Sequence, residues 1–103
     1  MGLFDFFKKK ASPEELIDAA KNGNVALVYE LLEKGANVNA ANKKGVTALM
    51  FASGIGHTET AKLLIEKGAD VNAASENGST ALMLASVNGH TETAKLLREK
   101  GAK

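Results

Sequence analysis

The 103-residue chain contains no cysteine, no tryptophan, a single proline and only 5% aromatic residues. Without cysteine there is no disulfide framework and no thiolate metal site, which fits a reducing, cytoplasmic setting. The formal net charge of +1 removes the broad electrostatic case for nucleic acid as a partner. No apolar run approaches the roughly 18 residues that a membrane-spanning helix requires. The stretch Met1 to Lys10 does not read as a secretion signal, because its lysines follow the apolar residues instead of preceding them. What remains is 45% apolar, mostly Ala, Leu and Val. That suffices for one domain whose core is built from small side chains.

The chain repeats itself with a period of 33 residues. Gly35-Ala36 returns as Gly68-Ala69 and Gly101-Ala102, Gly23 as Gly56 and Gly89, and Val38-Asn39 as Val71-Asn72. The stretch from His57 to Leu64 is repeated letter for letter from His90 to Leu97. A fixed period of this size marks stacked units, none of which can bury its apolar face alone.

Local signals assign the parts of each unit. Ser12, Pro13 and Glu15 form a helix opening, with Ser12 as cap, Pro13 at the first helical position and Glu15 closing a capping box. Leu16, Ile17, Ala19 and Ala20 continue it to about Asn22-Gly23. A second helix, from about Val25 to Lys34, carries Leu27, Val28, Leu31 and Leu32 and stops at Gly35, where glycine can turn left-handed. Residues 36–45 have no helical period, and their turn-forming residues predict an extended hairpin. Thr47 caps a short helix from Ala48 to about Gly54, and the pattern begins again. Glu59 and Glu92 fall early in their helices and Lys67 and Lys100 late, as the helix dipole favours.

Helix, tight turn, helix and hairpin in 33 residues, with Gly-x-Thr-Ala-Leu, Gly-His and Gly-Ala-Asp-Val-Asn, resembles the ankyrin repeat. The resemblance covers residues 12–103. It implies an all-α solenoid of helix-turn-helix units joined by β-hairpin-like loops, divided as 12–42, 43–75 and 76–103 after an amphipathic basic segment, 1–11. It also implies partner binding, without catalysis or cofactor, along the hairpin tips and first helices. The family's Thr-Pro-Leu-His is here Thr47-Ala48-Leu49-Met50 and Thr80-Ala81-Leu82-Met83. The departure removes a pre-set backbone angle and a side-chain bond between layers, so a less rigid stack is expected. The bare architecture suggests a bacterial source.

The ends read as caps of a complete short stack. Asp18 and Glu30 stand in the first unit where the middle unit has Phe51 and Leu63, and Arg98 stands in the last where the middle has Ile65. Polar terminal units keep such stacks soluble.

Residues 43–70 and 76–103 differ at eight places. Phe51/Leu84 and Ile65/Arg98 follow from packing and capping, and Asp70/Lys103 falls at the chain end. The others are Lys43/Glu76, Lys44/Asn77, Val46/Ser79, Gly54/Val87 and Ile55/Asn88. They cluster at the hairpin tip and the end of the first helix, where successive units form one strip. The expected partner-binding residues are therefore Lys43, Lys44, Val46, Met50, Ile55, Glu76, Asn77, Ser79, Met83, Val87 and Asn88. Val46, Ile55 and Val87 are expected to face solvent. Met50 and Met83 either join them or fill gaps between layers. The mixed charge suits a protein surface better than a phosphate backbone.

No chemical motif survives inspection. His57 and His90 are the only histidines, each opening a second helix where its ring can bond local backbone, and no cysteine accompanies them. His57-Thr58-Glu59 matches the His-x-Glu of zinc deaminases but lacks the cysteines that hold their metal. Gly54-Ile55-Gly56 follows a helix, whereas a dinucleotide fingerprint follows a strand. Asn77-Gly78-Ser79 matches a glycosylation acceptor without any secretion signal. No catalytic residue and no metal ligand is assigned. The leading segment gathers Leu3, Phe4, Phe6 and Phe7 on one helical side, followed by Lys8, Lys9 and Lys10. Three readings stay open for it: docking on the first unit, binding a membrane surface as an adaptor, or pairing with another copy or a partner.

Overall fold

The computed structural model describes residues 11–103. The readings placed on Leu3, Phe4, Phe6, Phe7, Lys8, Lys9 and Lys10 lie outside the described residues. Six helices follow in order: α1 (Pro13–Lys21), α2 (Val25–Glu33), α3 (Ala48–Ile55), α4 (Thr58–Glu66), α5 (Ala81–Val87) and α6 (Thr91–Glu99). They pair as α1 with α2, α3 with α4 and α5 with α6. The first helices stack on one another in sequence, and so do the second helices. The result is the all-α stack that the resemblance implies.

The capping residues act as their sequence positions indicate. Ser12 Oγ accepts the Glu15 amide at 3.2 Å while Glu15 Oε1 accepts the Ser12 amide at 2.8 Å. Thr47 and Thr80 cap α3 and α5 through the Met50 and Met83 amides at 3.3 and 3.2 Å. Each satisfies an orphan donor worth about 1 kcal/mol of helix stability. The hairpins carry only isolated antiparallel bridges, Ala41 with Thr47 and Ala74 with Thr80. Their tips join where the Glu76 amide donates to the Lys44 carbonyl at 2.8 Å.

The core runs through all three layers, with Leu16 and Val28 in the first, Leu49, Ala52 and Leu64 in the second, and Ala85 and Leu97 in the third, all essentially inaccessible. Leu27, expected in the apolar stripe of α2, is instead 37% exposed. Its counterparts Thr60 and Thr93 are buried, since they face the preceding layer, and no layer among the described residues precedes the first unit.

The histidines depart from expectation. Neither ring caps its own helix. His57 Nε2 instead donates to the Lys21 carbonyl of the preceding layer at 3.0 Å. The rings sit so close to Gly23 and Gly56 that a Cβ at either glycine would approach the ring of the following layer to 2.7 and 2.6 Å. Thr58 and Thr93 hydroxyls meet at 2.6 Å. Asn39 and Asn72 donate to the Gly68 and Gly101 carbonyls, at 3.2 and 3.1 Å. The layers are thus joined by polar bonds at other positions than the one the family's missing histidine would supply.

One interlayer contact is unfavourable. Ser53 is fully buried where α3 meets the next layer, and its hydroxyl has no hydrogen-bond partner among the described residues. The first unit has Ala20 at this place. An unpaired buried hydroxyl costs about 1–3 kcal/mol. Ser53→Ala is therefore expected to raise stability by about 1 kcal/mol, helped by alanine's better helix propensity. Urea unfolding measures this directly, and a lower midpoint for the variant would contradict it.

Candidate functional site

A groove of about 560 Å³ opens on the hairpin side of the stack, between the second and third layers. Residues from the two hairpins, Lys44 and Val46 on one and Ser75, Glu76, Asn77 and Ser79 on the other, form one wall. Met50, Phe51, Gly54 and Ile55 of α3, Leu84 of α5 and Asn88, which ends that helix, form the floor and the facing wall. The floor is apolar and the rim polar, which is the composition of a site that holds a ligand by burial and orients it by a few polar groups. Asn88 Nδ2 donates to the Gly54 carbonyl at 2.8 Å and pins the two helices together beneath the opening.

The hairpins hold their shape through short side-chain bonds. Asn42 Oδ1 accepts the amides of Lys44 and Val46, at 2.9 and 3.0 Å. Gly45, with φ of 76°, completes the turn, and a Cβ there would lie 3.1 Å from the Glu76 nitrogen. Glycine at that position lets adjacent tips come close enough to form a continuous wall.

The structure brings together Lys44, Val46, Met50, Ile55, Glu76, Asn77, Ser79 and Asn88 of the expected strip. Their exposure differs from expectation. Met50 is 1% exposed and belongs to the core, because the third layer covers it. Val46 is half-buried against that core instead of facing solvent. Ile55 is 46% exposed and faces outward as expected. Lys43 is exposed beside the groove without lining it. Met83 and Val87 do not line it either. Met83 holds the position of Met50 on a layer over which none of the described residues stacks, so it is 55% exposed, and Val87 is 77% exposed. Arg98, the last unit's polar substitution, lies on α6, while α5 of the same unit carries the exposed Met83 and Val87.

Phe51, Gly54, Ser75 and Leu84 were not among the expected residues, although Gly54/Val87 and Phe51/Leu84 stood among the differences between copies. Their role depends on which layer faces which, and a single repeat does not contain that information. Among the described residues no three His, Asp or Glu side chains converge as a metal site would need. No helix among them is long and apolar enough to cross a membrane.

A family model of three ankyrin repeats matches residues 16–103. The chain belongs to the ankyrin-repeat family. A protein of Pseudomonas aeruginosa named as an ankyrin repeat protein is 41% identical over 49 residues, which are 48% of this chain and 29% of that protein. The chain therefore spans less than a third of the length of that curated relative. Ankyrin repeats generally mediate interactions between proteins, and in this ankyrin-repeat chain the groove lies where successive hairpins and first helices meet.

Proposed function

We propose that this ankyrin-repeat chain is a non-enzymatic module that holds a protein partner on the hairpin tips and first helices of its second and third units. The observation that carries this reading is a coincidence of place. Two nearly identical copies differ at Lys43/Glu76, Lys44/Asn77, Val46/Ser79, Gly54/Val87 and Ile55/Asn88, and all but Lys43 and Val87 line the groove. An apolar floor with a polar rim provides the burial at the centre and hydrogen bonding at the edge that protein interfaces use.

Replacing Lys43, Lys44, Ile55 and Glu76 together by Ala or Ser tests the surface. All four are exposed, so helical content should not change. Capture of proteins from a lysate should fall by at least about tenfold if these residues include the dominant contacts. Undiminished capture of the same proteins would place the interface on another face. The adaptor reading depends on residues 1–10, and binding of the full chain to anionic vesicles decides it.

A further inference from the structure

At the second junction the groove is lined by a position that has no side chain. Position 54 of the repeat is Lys21 in the first unit, Gly54 in the second and Val87 in the third. At the first junction the Lys21 ammonium lies 4.8 Å from the centre of the Phe51 ring and covers it. At the second junction the corresponding atoms are absent. Gly54 offers only its backbone beside Leu84, whose Cβ would be 3.4 Å from a Cβ at position 54. Glycine inside a helix costs about 1 kcal/mol relative to alanine, so α3 is weakened locally and the floor is left open.

The rim charges give this opening a polarity. Lys44 and, just outside, Lys43 stand on the second unit's side, and Glu76 stands on the third's. Among the described residues the ion pair formed is Lys67 with Glu33; Lys43, Lys44 and Glu76 are exposed and form none, although the Glu76 amide bonds the Lys44 carbonyl. A ligand that fills the floor can therefore supply a carboxylate to the two lysines.

We infer that Gly54 is the specificity-determining residue of this chain, and that its groove receives one bulky apolar side chain of a partner segment with an acidic residue next to it. This rests on the protein-binding reading above and names the chemistry of the segment bound. A leucine or phenylalanine side chain enters over Gly54, against Val46, Ile55 and Leu84. The neighbouring carboxylate then meets Lys43 and Lys44. Methyl-labelled full-length chain, titrated with capped dipeptides, tests each part. Acetyl-Asp-Phe amide and acetyl-Asp-Leu amide should shift the Val46, Ile55 and Leu84 methyl signals saturably. Acetyl-Asp-Gly amide should not, and acetyl-Lys-Phe amide should bind at least threefold more weakly than acetyl-Asp-Phe amide.

Gly54→Val, which copies the residue of the third unit, should weaken acetyl-Asp-Phe amide at least tenfold. Gly54→Ala, which favours the helix, should weaken it in the same direction by less, and circular dichroism checks the fold of both. Equal binding of the Gly and Phe dipeptides, or indifference to Gly54→Val, would overturn the inference. So would a change of the same methyl signals on replacing Phe4, Phe6 and Phe7 together by Ser, since the chain's own leading segment or that of a second copy would then be the occupant. Partner capture that requires Lys43 and Lys44 but ignores Gly54→Val would overturn this inference and leave the wider reading standing. Loss of neither effect on any variant would remove both.

Discussion

Met50→Ala is expected to destabilise the protein by about 2–5 kcal/mol, the range for emptying a buried site of this size, whereas Met83→Ala should stay within about 0.5 kcal/mol. The two methionines end the same tetrapeptide, Thr-Ala-Leu-Met. Each follows a threonine cap and lies in the first turn of its helix. Met50 is 1% exposed and Met83 55% exposed, because a third layer covers the one and nothing among the described residues covers the other. Cavity cost depends on the atoms left around the void, so it follows the layer and not the motif. Urea unfolding of both variants checks this, with a loss of several kcal/mol set against a midpoint shift near zero. Equal costs would mean that the two sites have equal cover and that the stack order is wrong.

The second large effect concerns the tight turn between paired helices. Gly56 has φ of 92° and Gly89 φ of 78°, both in the left-handed region where an alanine costs roughly 1–2 kcal/mol. A Cβ at Gly89 would meet nothing within 4 Å, but one at Gly56 would fall 2.6 Å from the His90 ring. Gly56→Ala must therefore displace a packed ring from its seat on the preceding layer. Its expected cost is about 2–4 kcal/mol, against about 1–2 kcal/mol for Gly89→Ala. His90→Ala in the Gly56→Ala background should recover the excess, because the two changes share one contact. Thermal unfolding of the three variants reads the difference. An equal loss at both glycines would show that the ring does not press on the turn.

These cases mark what a linear reading can reach. Gly56 and Gly89 are interchangeable in sequence, each the glycine of a Gly-His pair that follows a first helix, so the left-handed turn is legible at both. The ring contact is not, because His90 comes 34 residues later in the chain. The expectation that each histidine bonds local backbone failed for the same reason: His57 spends its ring nitrogen on Lys21, across the layer boundary. Met50 carried two readings, rim or gap-filler, and only the stacking of α5 on α3 decided for the core. The groove was half legible. Differences between the copies located its rim, while Phe51 and Leu84 had been assigned to packing and capping alone.

By itself the sequence determined the period, the order of helix and hairpin, the caps at Ser12, Thr47 and Thr80, and the glycine turns. All of these depend on bonds or backbone angles within a few residues, and each repeat states them again. Tertiary structure alone decided which of two equal methionines is buried, where the His57 ring bonds, and that Gly54 lines a groove while Lys21 lies over Phe51. Those outcomes depend on what the next layer places opposite a given side chain. Identical repeats meet different neighbours at the middle and at the ends of a stack, and burial follows the neighbour.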